Sequence, residues 1–263
     1  MFLRNERSVK EFIQFYPVVS ALVIIYLALW FVIDFMQLPI GQDIYFWGIA
    51  VNGLIHDGEY WRLFTAMFLH GDFMHAIFNS FSLVLFGPAL EQMLGRVKFT
   101  VAFLIAGFIG NFATYALDPI NYQYAHLGAS GAIYGLFGIY IFMVLFRKNL
   151  IDPQSMQIIV VIFIIGLVMT FLRPGINAKA HVFGFIGGFA IAPLFLRNVL
   201  PFSPWRNKKA HVFTTNKSNN EIKFDPNRWN KKRIIPKKLK KSLPWVFLGI
   251  LLLFGLLGRL GIL

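Results

Sequence analysis

Seven long apolar segments, separated by polar stretches, dominate the hydrophobic pattern of this chain. Each is long enough to cross a bilayer as an α-helix, which takes about 17–25 residues. Exposed strands or loops are excluded there, because backbone groups in hydrocarbon must be hydrogen-bonded within their own segment. The pattern therefore predicts an all-α, polytopic helical membrane protein. The predicted spans cover residues 17–33, 74–94, 99–117, 129–146, 156–172, 180–200 and 244–263.

One polar stretch is much longer than the others and differs in kind. It is rich in Lys, Asn and Pro and has no apolar period, so it is predicted to be a cytoplasmic linker. The first span is expected to stay uncleaved, because Trp30 and Phe31 occupy the place of the small residues that a signal peptidase requires. The predicted organisation is a cytoplasmic N-terminal segment (1–14), a six-helix core (15–200), the basic linker (201–243) and a seventh transmembrane helix (244–263).

The positive charges are distributed unevenly between the two sides of the predicted membrane. If the N-terminus is cytoplasmic, 21 of the 25 Lys and Arg residues lie on the cytoplasmic side. This asymmetry is typical of membrane topology. It predicts a cytoplasmic N-terminus and an external C-terminus. The composition, rich in Phe, Ile, Lys and Asn and without cysteine, suggests a plasma membrane. The net charge of +13 then needs no nucleic-acid partner, and none is predicted.

Composition narrows the possible chemistry. Of the 263 residues 57% are hydrophobic and only 14% are charged, which indicates lipid as the solvent for much of the surface. There is no cysteine, so disulfides, thiolate metal sites and a cysteine nucleophile are excluded. No His-Glu-x-x-His pair occurs among the six histidines, and His70 and His75 are five residues apart, a poor spacing for one helical face. We therefore predict no metal and no cofactor.

Four of the polar residues inside the apolar segments stand out, because polar groups are costly there and often functional. His75 and Asn79 share one face of the second span, Ser130 opens the fourth, and His181 opens the sixth. With the N-terminus inside, these three spans all run from the outer to the inner side. The four side chains are therefore expected at one depth, just below the outer surface, as acyl transfer requires.

Glycines in two of these spans explain how the polar residues could come together. Gly131 and Gly135 are four residues apart in the fourth span, and Gly184 and Gly188 are four apart in the sixth. Such small-xxx-small faces allow transmembrane backbones to approach closely. We expect the fourth and sixth helices to pack tightly beside Ser130.

These motifs together resemble the rhomboid family of intramembrane serine proteases, in its bacterial six-plus-one form. The resemblance covers residues 15–200 and rests on several short motifs in order. They are Gly128-Ala129-Ser130-Gly131, His75-x-x-x-Asn79, His181-x-x-Gly184-x-x-x-Gly188, the pair Trp61-Arg62 and Tyr134.

The resemblance implies a function and a role for each residue. Ser130 would be the nucleophile and His181 its base, with Tyr134 stacked on the histidine ring. The backbone N–H of Ser130 and the side chains of His75 and Asn79 would stabilise the oxyanion. The implied substrates are single-pass membrane proteins in the lipid bilayer, cut near the outer ends of their spans. The fifth span and the loop 173–179 would form a gate, and the outer loop 38–69 would dip into the bilayer.

Three alternatives follow from the same residues. A non-cleaving relative could bind and route membrane proteins, although binding alone requires neither Ser130 nor His181. A channel or transporter could use the polar cluster as a path, but acidic residues are almost absent from the spans. A different intramembrane hydrolase or acyltransferase would also use a serine, and only substrate assays separate that case.

Overall fold

The computed structural model of the protein describes residues 6–206. This part of the chain is mostly helical, with one pair of very short strands. In chain order the elements are α1 (Val9–Phe15), α2 (Pro17–Trp30) continued by a π-helix (Phe31–Phe35), α3 (Pro39–Gly48), β1 (Ala50–Val51), α4 (Asn52–His56), α5 (Arg62–Thr65) followed by a 3₁₀ helix (Ala66–Phe68), α6 (Phe73–Leu94), α7 (Arg96–Ala116), β2 (Ala125–His126), α8 (Ser130–Phe146) followed by a 3₁₀ helix (Lys148–Leu150), α9 (Pro153–Leu172) and α10 (Ala178–Phe195).

Six of these helices correspond to the first six predicted spans. Five are long and apolar enough to cross a membrane: α2 with its π-helical extension, α6, α7, α9 and α10. The sixth, α8, is equally apolar but has only 17 residues. The prediction of a polytopic helical membrane protein is therefore confirmed. The seventh predicted span lies outside the described residues, and so does the linker beyond Arg206.

Helix boundaries differ from the predicted ones by a few residues, because capping groups outweigh the apolar pattern at the ends. α9 begins at Pro153 instead of 156, where proline suits the first helical position and the Asp152 carboxylate accepts a hydrogen bond from the backbone of Ser155. α10 begins at Ala178 instead of 180, because the Asn177 side chain accepts from a backbone N–H in the first turn. α10 also ends earlier than predicted, at Phe195 instead of 200.

The core of the molecule centres on α8, which is buried along most of its length and packs against α7 and α10. In contrast, α9 is peripheral. It buries only Ser155, Ile159 and Thr170, and many of its other side chains are exposed apolar groups suited to lipid. Thr170, near the end that precedes α10, is therefore the place where α9 makes buried polar contact with the rest of the protein.

The loop between α2 and α6 contains α3, α4 and α5 and is tied to the segment that precedes α8. Its strand β1 pairs antiparallel with β2, so that Ala50 lies opposite His126. The loop also presents exposed apolar side chains, including Phe46 and Trp47. Such side chains are typical of a membrane interface, although the position of the loop in a leaflet stays a prediction.

Candidate active site

The backbones of α8 and α10 are in direct contact at their glycines. A Cβ atom built on Gly184 would lie 2.1 Å from the carbonyl oxygen of Gly131, and one on Gly188 would lie 1.9 Å from that of Gly135. Real Cβ atoms essentially never come closer than 3.0 Å. The contacts advance together along both helices, so α8 and α10 run parallel, and only glycine fits at these positions.

This packing brings Ser130 and His181 to neighbouring positions on the two helices. Gly131 follows Ser130, and its Cβ position lies 3.2 Å from the carbonyl oxygen of Ala180, the residue before His181. Four residues after Ser130, on the same face of α8, the ring of Tyr134 stacks on His181 with centroids 4.1 Å apart and planes inclined by 14°. The face of α8 that carries Ser130 therefore faces the His181 ring.

Thr170 of α9 is a further contact of His181 that the sequence analysis missed. Its Oγ1 lies 2.8 Å from His181 Nδ1, 2.9 Å from the Tyr134 hydroxyl and 2.8 Å from the carbonyl oxygen of Gly166. A threonine in an apolar helix satisfies itself by bonding to the carbonyl four residues earlier. A threonine in an apolar helix therefore leaves no unsatisfied polar group, and no sequence signal distinguishes Thr170 from a packing residue.

His75 reaches the same region from α6. A Cβ on Gly128 would lie 2.6 Å from His75 Nε2, so the imidazole covers the backbone two residues before Ser130. Gly128 also has a φ of +116°, which L side chains rarely adopt. Asn79 is buried one turn along α6, and its Nδ2 donates to the His75 carbonyl oxygen at 2.9 Å. The structure therefore brings His75 next to the segment Gly128–Gly131, and Asn79 follows one turn further along α6.

Arg62 and Trp61 lie away from this cluster and hold the outer loop together. The Arg62 guanidinium is fully buried, pairs with Glu59 at 2.6 Å and donates to the carbonyl oxygens of Phe46 and Ile49, each at 2.7 Å. These carbonyls belong to the C-terminal end of α3, where helix carbonyls lack partners within the helix. The Trp61 indole N–H donates to another carbonyl of that end at 3.1 Å. Both residues therefore have a structural role in the loop.

Two further histidines are buried on loops outside the helical spans. His126 is 6% exposed, and burial, with Lys179 nearby, lowers its pKa to about 4. His70 is 1% exposed, its ring centroid is 5.0 Å from that of His75, and burial, with His75 as the second cause, lowers its pKa to about 3. Both rings are therefore neutral at pH 7. Within residues 6–206, no group of three or more His, Asp or Glu could hold a metal ion.

Comparison with known proteins agrees with this architecture. The family model described as the rhomboid domain matches residues 57–198. The protein of Bacillus subtilis (strain 168) that carries the name "Putative rhomboid protease YdcA" is 42% identical over 195 residues, which cover 73% of this chain and 94% of YdcA. The rhomboid protease GluP of the same organism is 37% identical over 55% of this chain and 28% of GluP.

A plant protein extends the comparison beyond bacteria. The RHOMBOID-like protein 1 of Arabidopsis thaliana is 32% identical over 149 residues, which cover 56% of this chain and 38% of that protein.

Relatives named as proteases support protease activity here, and the apolar helices agree with a multi-pass membrane protein. Since the matched domain spans more than half of the chain, this protein belongs to the rhomboid family.

Proposed function

We propose that this protein is an intramembrane serine endopeptidase, in which Ser130 is the nucleophile and His181 the general base. The observation that carries the proposal is the stacking of Tyr134 on His181 at the point where α8 and α10 touch. Ser130 lies one turn before Tyr134 on the same helix face, the face that meets the imidazole. A serine beside a base that is itself held in place is the arrangement that nucleophilic catalysis needs.

The proposed reaction begins when His181 takes the hydroxyl proton of Ser130. The serine oxygen attacks the scissile carbonyl, and the resulting tetrahedral intermediate collapses to an acyl-enzyme as His181 gives the proton to the leaving amine. Water, deprotonated by His181, then attacks the acyl group and releases Ser130. The proton returns to the serine oxygen, so that the enzyme ends each cycle in its initial state.

Three donors are available for the negative charge of the tetrahedral intermediate. Ser130 is the first residue of α8, where backbone N–H groups have no partner within the helix and the helix dipole favours negative charge. His75 Nε2 lies against the backbone just before Ser130. Asn79 uses one amide proton for the His75 carbonyl and keeps a second one. We propose these three groups as the oxyanion hole.

The proposed substrates are single-pass membrane proteins, cleaved near the outer end of the transmembrane segment. Ser130, His181 and His75 all lie in the first turns of α8, α10 and α6, at one end of the helical bundle. The distribution of positive charge assigns that end to the outside of the plasma membrane, with a cytoplasmic N-terminus. A peptide reaching the site must be unwound there, since an intact helix engages its carbonyls in hydrogen bonds.

The orientation can be tested separately from the activity. Because the chain has no cysteine, single cysteines introduced at exposed positions can be labelled without background. We expect Gln123→Cys, in the loop before β2, to react with an impermeant maleimide added to intact cells, and Lys148→Cys, after α8, to react only once the cells are opened. The opposite pattern would reverse the proposed topology.

The catalytic proposal is tested by labelling the purified protein with a fluorophosphonate probe in detergent. We compare the parent with Ser130→Ala and His181→Ala, then measure cleavage of a model single-span substrate by all three. Labelling and cleavage in the parent alone would support a serine–histidine protease. A folded parent that neither labels nor cuts would refute it and would favour a non-cleaving rhomboid that binds membrane proteins.

A further inference from the structure

The hydroxyl of Thr170 is unusual in having three polar partners at hydrogen-bonding distance. Its Oγ1 lies 2.8 Å from the carbonyl oxygen of Gly166, 2.9 Å from the hydroxyl of Tyr134 and 2.8 Å from Nδ1 of His181. A hydroxyl has one proton to donate and two lone pairs that accept. Three partners therefore use its full hydrogen-bonding capacity, which allows the direction of each bond to be worked out.

The carbonyl oxygen of Gly166 decides these directions, because it can only accept. If Thr170 donated its single proton to another partner, two oxygens would face each other at 2.8 Å with no proton between them. The proton of Thr170 is therefore directed to Gly166, and Thr170 accepts from both Tyr134 and His181. It follows that Nδ1 of His181 carries a proton and that Nε2, in the neutral ring, does not.

We propose that Thr170 is a positioning residue that acts through His181, an inference that rests on the function proposed above. It holds the imidazole in the tautomer whose free Nε2 can take the proton of Ser130. When Nε2 has accepted that proton, Nδ1–H continues to donate to Thr170, so the charged ring keeps its partner. The neutral hydroxyl thus fixes the tautomer and orientation of His181, as a buried carboxylate does in a Ser-His-Asp triad, but adds no negative charge beside the ring.

The position of Thr170 on α9 gives the contact a further consequence. Apart from Thr170, α9 buries only Ser155 and Ile159, both in its first two turns. At the other end of the helix, the bonds of Thr170 to Tyr134 and His181 are therefore its buried polar attachment to α8 and α10. The correct tautomer is held only while this end of α9 lies against the site.

The test compares three single substitutions that separate the hydroxyl from its surroundings. Thr170→Val removes the hydroxyl at nearly constant volume, and Thr170→Ser keeps it. Thr100→Val is the matched control, because Thr100 makes the same bond to the carbonyl four residues earlier, on α7, and lines a surface groove between α2 and α7 that contains none of the site residues. Each protein is labelled with the fluorophosphonate and assayed on the model substrate.

We expect Thr170→Val to lower kcat by roughly 10- to 100-fold, since it removes a hydrogen bond to a ring that becomes charged. KM should change little, because Thr170 acts on the histidine and not on the substrate. Thr170→Ser should restore most of the activity, and Thr100→Val should match the parent. A Thr170→Val protein that labels and cuts as fast as Thr100→Val would overturn the positioning role.

A spectroscopic measurement tests the tautomer without relying on any Thr170 variant. Histidines labelled with ¹⁵N are observed by NMR in detergent or bilayers, and the His181 signals are assigned from their loss in His181→Ala, since the chain has six histidines. We expect Nδ1 of His181 to be protonated and Nε2 to be free at neutral pH. The opposite tautomer in the parent would overturn the proposal, even if Thr170→Val failed to fold.

The two proposals fail in distinguishable ways. A folded parent that does not label with the fluorophosphonate removes the proposed protease function, and the role of Thr170 in it. A parent that labels normally, together with a Thr170→Val protein that labels equally well, removes only the role of Thr170.

Discussion

The close contact between α8 and α10 gives a prediction whose size follows from the structure. In Gly188→Ala the new Cβ would lie 1.9 Å from the carbonyl oxygen of Gly135, although real contacts of this kind need at least 3.0 Å. The neighbouring atom is backbone and cannot rotate away, so the helices must separate by about 1 Å. A displacement of that size at an active site can cost about 100-fold in rate, and overpacking costs about 1–3 kcal/mol of stability.

The assay is the rate of fluorophosphonate labelling in detergent, measured well below the unfolding temperature of every variant. We expect Gly188→Ala to label about 100-fold more slowly than the parent. The matched control is Gly71→Ala, because a Cβ on Gly71 would meet only a side-chain carbon of Leu127, at an ordinary 3.7 Å. This control should label at the parental rate and unfold at the parental temperature.

Two results would contradict this prediction. If Gly188→Ala is folded, unfolds at the same temperature as Gly71→Ala and labels at the parental rate, then the contact of the two backbones does not hold Ser130 and His181 together. If it is destabilised but labels normally, the glycines serve packing alone, and another contact sets the geometry of the site.

Three further predictions concern the surroundings of the site. Asn79→Ala should lower kcat about 10²- to 10³-fold with little change in KM, as for other oxyanion donors, and parental turnover on the model substrate would exclude this role. Arg62→Met should lower the free energy of unfolding by roughly 3–5 kcal/mol, because Glu59 and two carbonyls lose their partner. Thermal unfolding measures this change, and a loss below about 1 kcal/mol would contradict the prediction. The pKa of His126 is about 4 in the folded protein, against an ordinary 6.5. As the pH falls, the unfolded chain therefore binds a proton at His126 before the folded protein does. The contribution of His126 to stability should therefore be constant above pH 6.5 and fall towards pH 4, by at most about 3 kcal/mol. His126→Gln should reduce the loss of stability over this range by that amount, while the part due to His70 stays.

Much of the architecture could be predicted from the chain alone, because the bilayer leaves few alternatives. An apolar run such as 74–94 has to be a helix in hydrocarbon, and α6 (Phe73–Leu94) agrees with it to one residue. Boundaries were less certain where a cap decided them. At α9 the side chain of Asp152 and the ring of Pro153 start the helix three residues before the apolar pattern does.

The pairing of α8 with α10 was also predictable, because glycines four residues apart in a transmembrane helix indicate a close helix–helix contact. Both helices carry such a pair: Gly131 and Gly135 in α8, Gly184 and Gly188 in α10. The stacking of Tyr134 on His181 was expected only from the family resemblance, and the structure contains that contact. The catalytic roles assigned to Ser130, His181 and the oxyanion donors stay predictions until activity is measured.

The spans, and the polar and glycine positions within them, could be read from the chain, because they follow from local rules of length, polarity and size. The full set of groups around His181 became apparent only in the folded protein. Thr170 satisfies itself within its own helix and so gives no signal, and it meets His181 only because α9 ends against α8 and α10. Away from the site, Arg62 is marked in the sequence only by the family resemblance, and its buried partners appear when the fold brings the end of α3 around it. Contacts of this kind join residues that are distant in the chain, and no local pattern specifies them.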